Sequence, residues 1–175
     1  MNKEALLIID VQLAMFMCDG GVYRGEETLS NIKTLLERAR EKETPVIFVQ
    51  HTVDYDSPYK RGTETWNIHP EITPRENEVV VAKTKCDSFF KTNLEEVLRE
   101  KAIEKLTIVG MQTEFCVDTT IRAAFSKEYK NTFVRGCHTT FDTEVLKAED
   151  IIKHHERTWG SFGTLKVISE VDFEL

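Results

Sequence analysis

Short apolar runs alternate with helical stripes along the chain. Ala5-Leu6-Leu7-Ile8-Ile9 is unbroken apolar sequence ending at Asp10, the pattern of a strand buried on both faces. From Thr28 to Arg40, the residues Leu29, Ile32, Leu35, Leu36 and Ala39 recur at helical spacing with charges between them. Pro45 then breaks the chain, and 46–49 reads as a second strand. A third covers 79–82 and runs into Lys83. Asn93 stands where a helix cap belongs, ahead of a stripe of Leu94, Val97 and Leu98. A fourth strand spans 106–109 and ends at Gly110. Thr113 reads as the N-cap of a helix through Val117, Ile121, Ala124 and Phe125. A fifth strand at 132–134, a helix over 144–155 and a sixth strand at 165–168 complete the pattern.

Strands that alternate with helices imply βαβ crossovers, hence an α/β fold with a mostly parallel sheet and helices on both faces. The pattern contains no repeat and no second unit, so residues 1–175 read as a single domain. In such sheets ligands bind at the carboxyl ends of the strands. One connection, 51–78, is long and holds Tyr55, Tyr59, Trp66 and His69, and long connections in compact domains tend to be functional.

Composition narrows the classes. With 23 Lys and Arg against 30 Asp and Glu, the net charge is −7, which disfavours nucleic acid as a partner. No apolar run approaches the roughly 18–20 residues that cross a bilayer, and the start is too short and too soon acidic for a signal peptide. The expectation is a cytoplasmic protein. Four cysteines, at 18, 86, 116 and 137, form no C-x-x-C pair, so free thiols are expected rather than a disulfide framework or a zinc site.

Three residues stand out because each follows a predicted strand. Asp10 and Lys83 do so directly, and Cys116 lies in the first turn of the helix after the fourth strand. All three should face one crevice. A thiolate is the attacking form of cysteine, and a helix N-terminus and a nearby ammonium both lower a thiol pKa. Asp10 could take the thiol proton and return it to a leaving amine, and backbone N–H groups around Gln112–Cys116 could hold an oxyanion. Taken singly, the three have plainer readings: a small buried hydrophobe, a cap, and a lysine facing water.

The segments Ala5–Gln12 followed by Phe16, Val81-Ala82-Lys83 followed by Phe89 and Thr92-Asn93-Leu94, and Gly110–Val117 followed by Thr120 resemble the isochorismatase-like cysteine hydrolases. That resemblance implies a three-layer α/β/α sandwich around a six-stranded sheet, with Asp10, Lys83 and Cys116 as a catalytic triad. It also implies a cis peptide at Met111–Gln112, before the oxyanion-holding amides, and a homodimer or homotetramer. Isochorismate-cleaving members lack the cysteine, so Cys116 points away from that activity. Nicotinamidases in the family carry an Asp-x-His metal motif, and here that stretch reads Val49-Gln50-His51-Thr52, with His69 later. Without the carboxylate, no metal and no cofactor are expected, and His51 and His69 read as structural or loop residues. Lys85 is a weaker alternative to Lys83, with the wrong spacing to Phe89.

Phe16, Trp66, Phe89, Gln112 and His138 are further candidates for contact with substrate. Cys18, Cys86 and Cys137 read as ordinary thiols, and His154 and His155 as a favourable charge at a helix end. The reading is a cysteine hydrolase of a small amide, lactam or carbamoyl C–N bond; a non-catalytic binding member of the family is the alternative. The 51–78 connection would serve as a lid or, by its aromatic content, as an interface element.

Overall fold

The computed structural model describes residues 3–173. Six strands, β1 (Lys3–Ile9), β2 (Val46–His51), β3 (Val79–Lys83), β4 (Ile103–Met111), β5 (Lys130–Thr139) and β6 (Thr164–Lys166), form one sheet in the order β3-β2-β1-β4-β5-β6. Every neighbouring pair is parallel. The helices are α1 (Ala14–Met17), α2 (Gly25–Glu41), α3 (Leu94–Glu100), α4 (Asp118–Ser126) and α5 (Ala148–Trp159).

Alternation along β1 sorts the core into two layers. Leu6 and Ile8 point to the face that α2 covers with Leu29, Ile32, Leu35, Leu36 and Ala39. Ala5, Leu7 and Ile9 point to the opposite face, against Leu94, Val97 and Leu98 of α3, Ile121 and Ala124 of α4, and Trp159 of α5. The result is the three-layer α/β/α sandwich. Chain order reverses between β1 and its two neighbours, β2 and β4, and this switch point opens a crevice at the carboxyl ends. Among the described residues no helix is long and apolar enough to cross a membrane.

The strands outrun the apolar runs, because ladder hydrogen bonds continue into polar residues: β4 and β5 pair from Lys105 and Lys130 onward. β6 is shorter than expected. It pairs only with 132–134 of β5, and Ile168 turns into a 3₁₀ segment, Ile168–Glu170. Helix ends differ for local reasons. Asn93 makes no side-chain cap; Thr92 Oγ1 accepts from Leu94 N instead, at 3.3 Å. The last long helix begins at Ala148 rather than 144. Residues 143–146 form a turn on the Thr143 hydroxyl, and Asp142 Oδ1 accepts from Ala148 N at 2.9 Å. Thr113 does not cap either, since its hydroxyl pairs with His138 Nδ1 at 3.0 Å, and Thr113–Val117 forms a wide π-type turn ahead of α4.

Candidate active site

Four strand ends converge at the crevice. Asp10 follows β1 with φ 51°, a left-handed conformation that Asp tolerates better than most side chains. Lys83 is the last residue of β3, and parallel register sets it beside His51, the last residue of β2. Cys116 comes from the wide turn after β4. The strand feeding that turn passes very close to β1: a Cβ on Gly110 (φ 129°) would lie 2.0 Å from the Ile9 carbonyl oxygen, so only glycine fits. The next peptide bond, Met111–Gln112, is cis.

Lys83 binds the group together. Its Nζ lies 2.6 Å from Asp10 Oδ2, donates to Cys116 Sγ at 3.1 Å, and stands 3.3 Å from His51 Nδ1. Asp10, Lys83 and Cys116 are all buried. Neither Asp10 oxygen makes a hydrogen bond of ordinary geometry, so the carboxylate retains capacity to accept a proton.

The charge balance departs from the sequence expectation. Burial pushes the Cys116 thiol up, the Asp10 carboxylate adds to this, and the pull of Lys83 is too small to reverse it. This environment works against the thiolate, because sulfur is set among apolar side chains beside a carboxylate. Burial works against the Lys83 charge, but Asp10 and Cys116 together hold its pKa above the usual lysine value. Burial and the Lys83 charge lower the His51 pKa.

The remaining candidates separate. Gln112 lines a cavity of about 660 Å³ with Tyr23, Tyr59, Phe141, Asp19 and Asp142. Tyr59 also sets its ring edge-on to His51, centroids 5.3 Å apart, which links the cavity to the cluster. Trp66 is tied into the crevice rim: Nε1 donates to Thr52 Oγ1 at 3.0 Å, and its carbonyl accepts from Gln12 and Gln50. Phe16 is half-buried with its ring on His69, 4.7 Å between centroids. Phe89 is placed in the core, stacked on Tyr129 at 5.9 Å and below Lys127. His138 is buried between Thr113 and Glu156, so its contact is with the scaffold of the nucleophile turn. Lys85 is exposed and acts on His51 only as a more distant charge. Burial raises the Cys137 thiol to about 12, as suits an inert core residue.

The sequence pattern marks His51 as a structural or loop residue, and the structure instead brings it into the cluster. The available signal was its place at the end of a strand next to β3. Asp10, His51 and Cys116 offer ligand atoms within 4.8 Å of one another. The Lys83 ammonium contacts all three residues, so a dication would have to displace it, and the set fits an ammonium better than a metal. Among the described residues His69 joins no such cluster; its Nδ1 accepts from Glu71 N at 3.3 Å.

A family model for the isochorismatase domain matches residues 4–152, and the chain belongs to that family. It is 39% identical over 122 residues to the isochorismatase family protein YrdC of Bacillus subtilis (strain 168), a match covering 69% of this chain and 65% of that relative. It is 28% identical over 165 residues to the ureidoacrylate amidohydrolase RutB of Agrobacterium fabrum (strain C58 / ATCC 33970), covering 73% and 72% of the two chains. A crystal structure of an isochorismatase family protein superposes with a TM-score of 0.87 at 34% identity, over 93% of this chain and 97% of the other.

Proposed function

We propose that this chain is a cysteine amidohydrolase that cleaves a small amide, lactam or carbamoyl C–N bond through a thioester. The observation that carries the reading is the buried lysine bridging a carboxylate and a thiol, 2.6 Å from Asp10 and 3.1 Å from Cys116. RutB is an amidohydrolase of the same family, which supports the class of bond.

In this reading Asp10 removes the thiol proton as sulfur attacks the carbonyl carbon, and a C–S bond forms. Backbone N–H groups of the turn around Gln112–Cys116 hold the oxyanion, Phe115 N excepted because it donates to the Gln112 carbonyl. Asp10 then passes the proton to the leaving nitrogen as the C–N bond breaks. A water deprotonated by Asp10 hydrolyses the thioester, releasing the acid and restoring the thiol. Lys83 stays charged and offsets the charge that builds on sulfur during attack. The raised thiol suits this order of events, because the proton leaves sulfur only as a substrate arrives. On the cavity rim Asp142 is paired with Lys147 at 2.7 Å, which leaves Asp19 as the acidic lining group that suits neutral or cationic substrates over anions.

A non-catalytic binding member is the rival, and the burial of Cys116 favours it. The deciding experiment is a mass-spectrometric screen of carboxamides, lactams and ureido compounds with wild type and Cys116→Ala. Turnover by wild type alone supports the hydrolase, and turnover by both or neither opposes it. Chelation should leave the wild-type rate unchanged. Self-association belongs to the same proposal, supported by exposed Phe115 and Val145; light scattering should give a mass well above 20.2 kDa, and a monomer mass would refute it.

A further inference from the structure

His51 stands at the cluster without a role in the mechanism above, and the chemistry of its neighbour constrains it. An ammonium has three N–H donors and no acceptor. The contacts of Lys83 Nζ are Asp10 Oδ2, Cys116 Sγ and His51 Nδ1. Nδ1 therefore has to accept, because a proton on it would point at the ammonium. A neutral imidazole with Nδ1 as acceptor carries its proton on Nε2. Burial and the Lys83 charge disfavour the imidazolium, in line with this geometry.

Nε2 makes no hydrogen bond to another described residue. One imidazole nitrogen lies within 4.8 Å of Cys116 Sγ. An acyl group poised for attack stands about 3–3.5 Å from sulfur, which brings it to the neighbourhood of the imidazole, whose Nδ1 is already taken by Lys83. Tyr59, edge-on to His51, also lines the cavity that holds Gln112. Backbone hydrogen bonds hold the ring's base: Gln12 Oε1 accepts from His51 N at 2.9 Å, and Gln12 Nε2 donates to His51 O at 3.0 Å.

We infer that Lys83 locks His51 as the neutral Nε2–H tautomer, and that this N–H is a hydrogen-bond donor to the acyl group of the substrate. The donor role rests on the hydrolase reading; the tautomer does not. His51 thus becomes a fourth working residue, acting on the substrate where Lys83 acts on the sulfur.

Two measurements test it. Long-range ¹H–¹⁵N NMR of the wild-type protein, with His51→Gln for assignment, should show Nε2 protonated and Nδ1 bare near neutral pH; a proton on Nδ1 overturns the tautomer and the donor role with it. The second uses two probes of Cys116. p-Nitrophenyl acetate acetylates the thiol, forming a C–S bond and expelling nitrophenolate. Methyl methanethiosulfonate transfers a methylthio group to sulfur and expels methanesulfinate, with no acyl group involved. In His51→Asn the amide oxygen can replace Nδ1 as acceptor while the Nε2 donor is lost. Acetylation should then fall about 10- to 100-fold, the scale of losing one preorganised donor, with methylthiolation within about two-fold of wild type. In His51→Gln the longer amide can present N–H near the Nε2 position, and part of the acetylation rate should return. A parallel fall with both probes, or acetylation unchanged in His51→Asn, overturns the donor role. If wild type is not acetylated at Cys116, the hydrolase reading and the donor role both fail, and the NMR result still decides the tautomer.

Discussion

Two largely buried polar clusters flank the start of the nucleophile turn, and they differ in the reactive group they hold. On the β1–β3 side, Asp10, Lys83, His51 and Cys116 form a set in which the carboxylate oxygens make no ordinary hydrogen bond and the nearby cavity reaches Gln112 and Tyr59. On the β5–α5 side, Arg135 Nε donates to Glu156 Oε2 at 3.0 Å, Glu156 Oε1 faces His138 Nε2 at 3.6 Å, and His138 Nδ1 pairs with the Thr113 hydroxyl. Each cluster contains a histidine, a carboxylate and a cation. In the second they face one another and the Thr113 hydroxyl, with Glu156 Oε1 and His138 Nε2 making no hydrogen bond of ordinary geometry either. It borders a hollow of about 420 Å³ whose rim charges are likewise paired, Arg24 with Glu27 and Lys153 with Glu149. Chemistry is legible in the first cluster because it sets a thiol beside a carboxylate and a lysine; the second holds no thiol and reads as support for the turn.

That contrast can be broken by substitution. Cys116→Ala should lower turnover at least about 10³-fold with an unchanged melting temperature, and Asp10→Asn should be nearly as damaging to activity. Substrate screening with circular dichroism checks both, and wild-type turnover in Cys116→Ala ends the proposed chemistry. Lys83→Met should lose activity and also cost about 3–5 kcal/mol of folding stability, since it strands a buried carboxylate. Denaturant unfolding measures this, and a stable Lys83→Met would mean that Asp10 readily takes up a proton.

Glu156→Gln probes the supporting cluster. Burial opposes the Glu156 charge, but His138 close by and the hydrogen bond from Arg135 outweigh it and hold the carboxyl below the usual range. A depressed carboxyl pKa stabilises the fold above the unfolded-state value of about 4.3 and loses that contribution as pH falls towards the folded value. Glu156→Gln should therefore be less stable at pH 7, by about 1–3 kcal/mol, and flatter in its stability between pH 5 and 3. Equal acid slopes would remove Glu156 from that transition. The smallest effect belongs to Phe89→Leu, which should cost about 1–1.5 kcal/mol of stability with kcat/KM within two-fold. A large change in KM would put Phe89 back at the substrate.

How much of this was readable beforehand depends on sequence distance. Asp10 and Lys83 follow apolar strands directly, so local pattern alone aimed them at the crevice. His51 lies at the end of β2 just as plainly, but its importance comes from register with Lys83, a pairing between residues 32 apart that no local pattern encodes. Glu156 sits among the buried residues of α5 beside Trp159, and a charge there reads as exposed until β5 brings Arg135 and His138 against it. The direction of the thiol pKa is hidden from sequence for a related reason. Helix position and a nearby lysine are visible in sequence, while desolvation is a property of the packed core.

The near-contact of Gly110 with the Ile9 backbone bears on how this protein could be re-engineered. The strand bearing the base and the strand leading to the nucleophile meet main chain to main chain, with no side chain between them that a mutation could resize. Their separation is therefore almost immune to substitution. The cavity, by contrast, is walled by Tyr59, Phe141 and Asp142 from connections outside the sheet ladder. A library confined to residues 55–66 and 141–146 should thus alter which compounds are accepted while the spacing of the reactive atoms stays as it is.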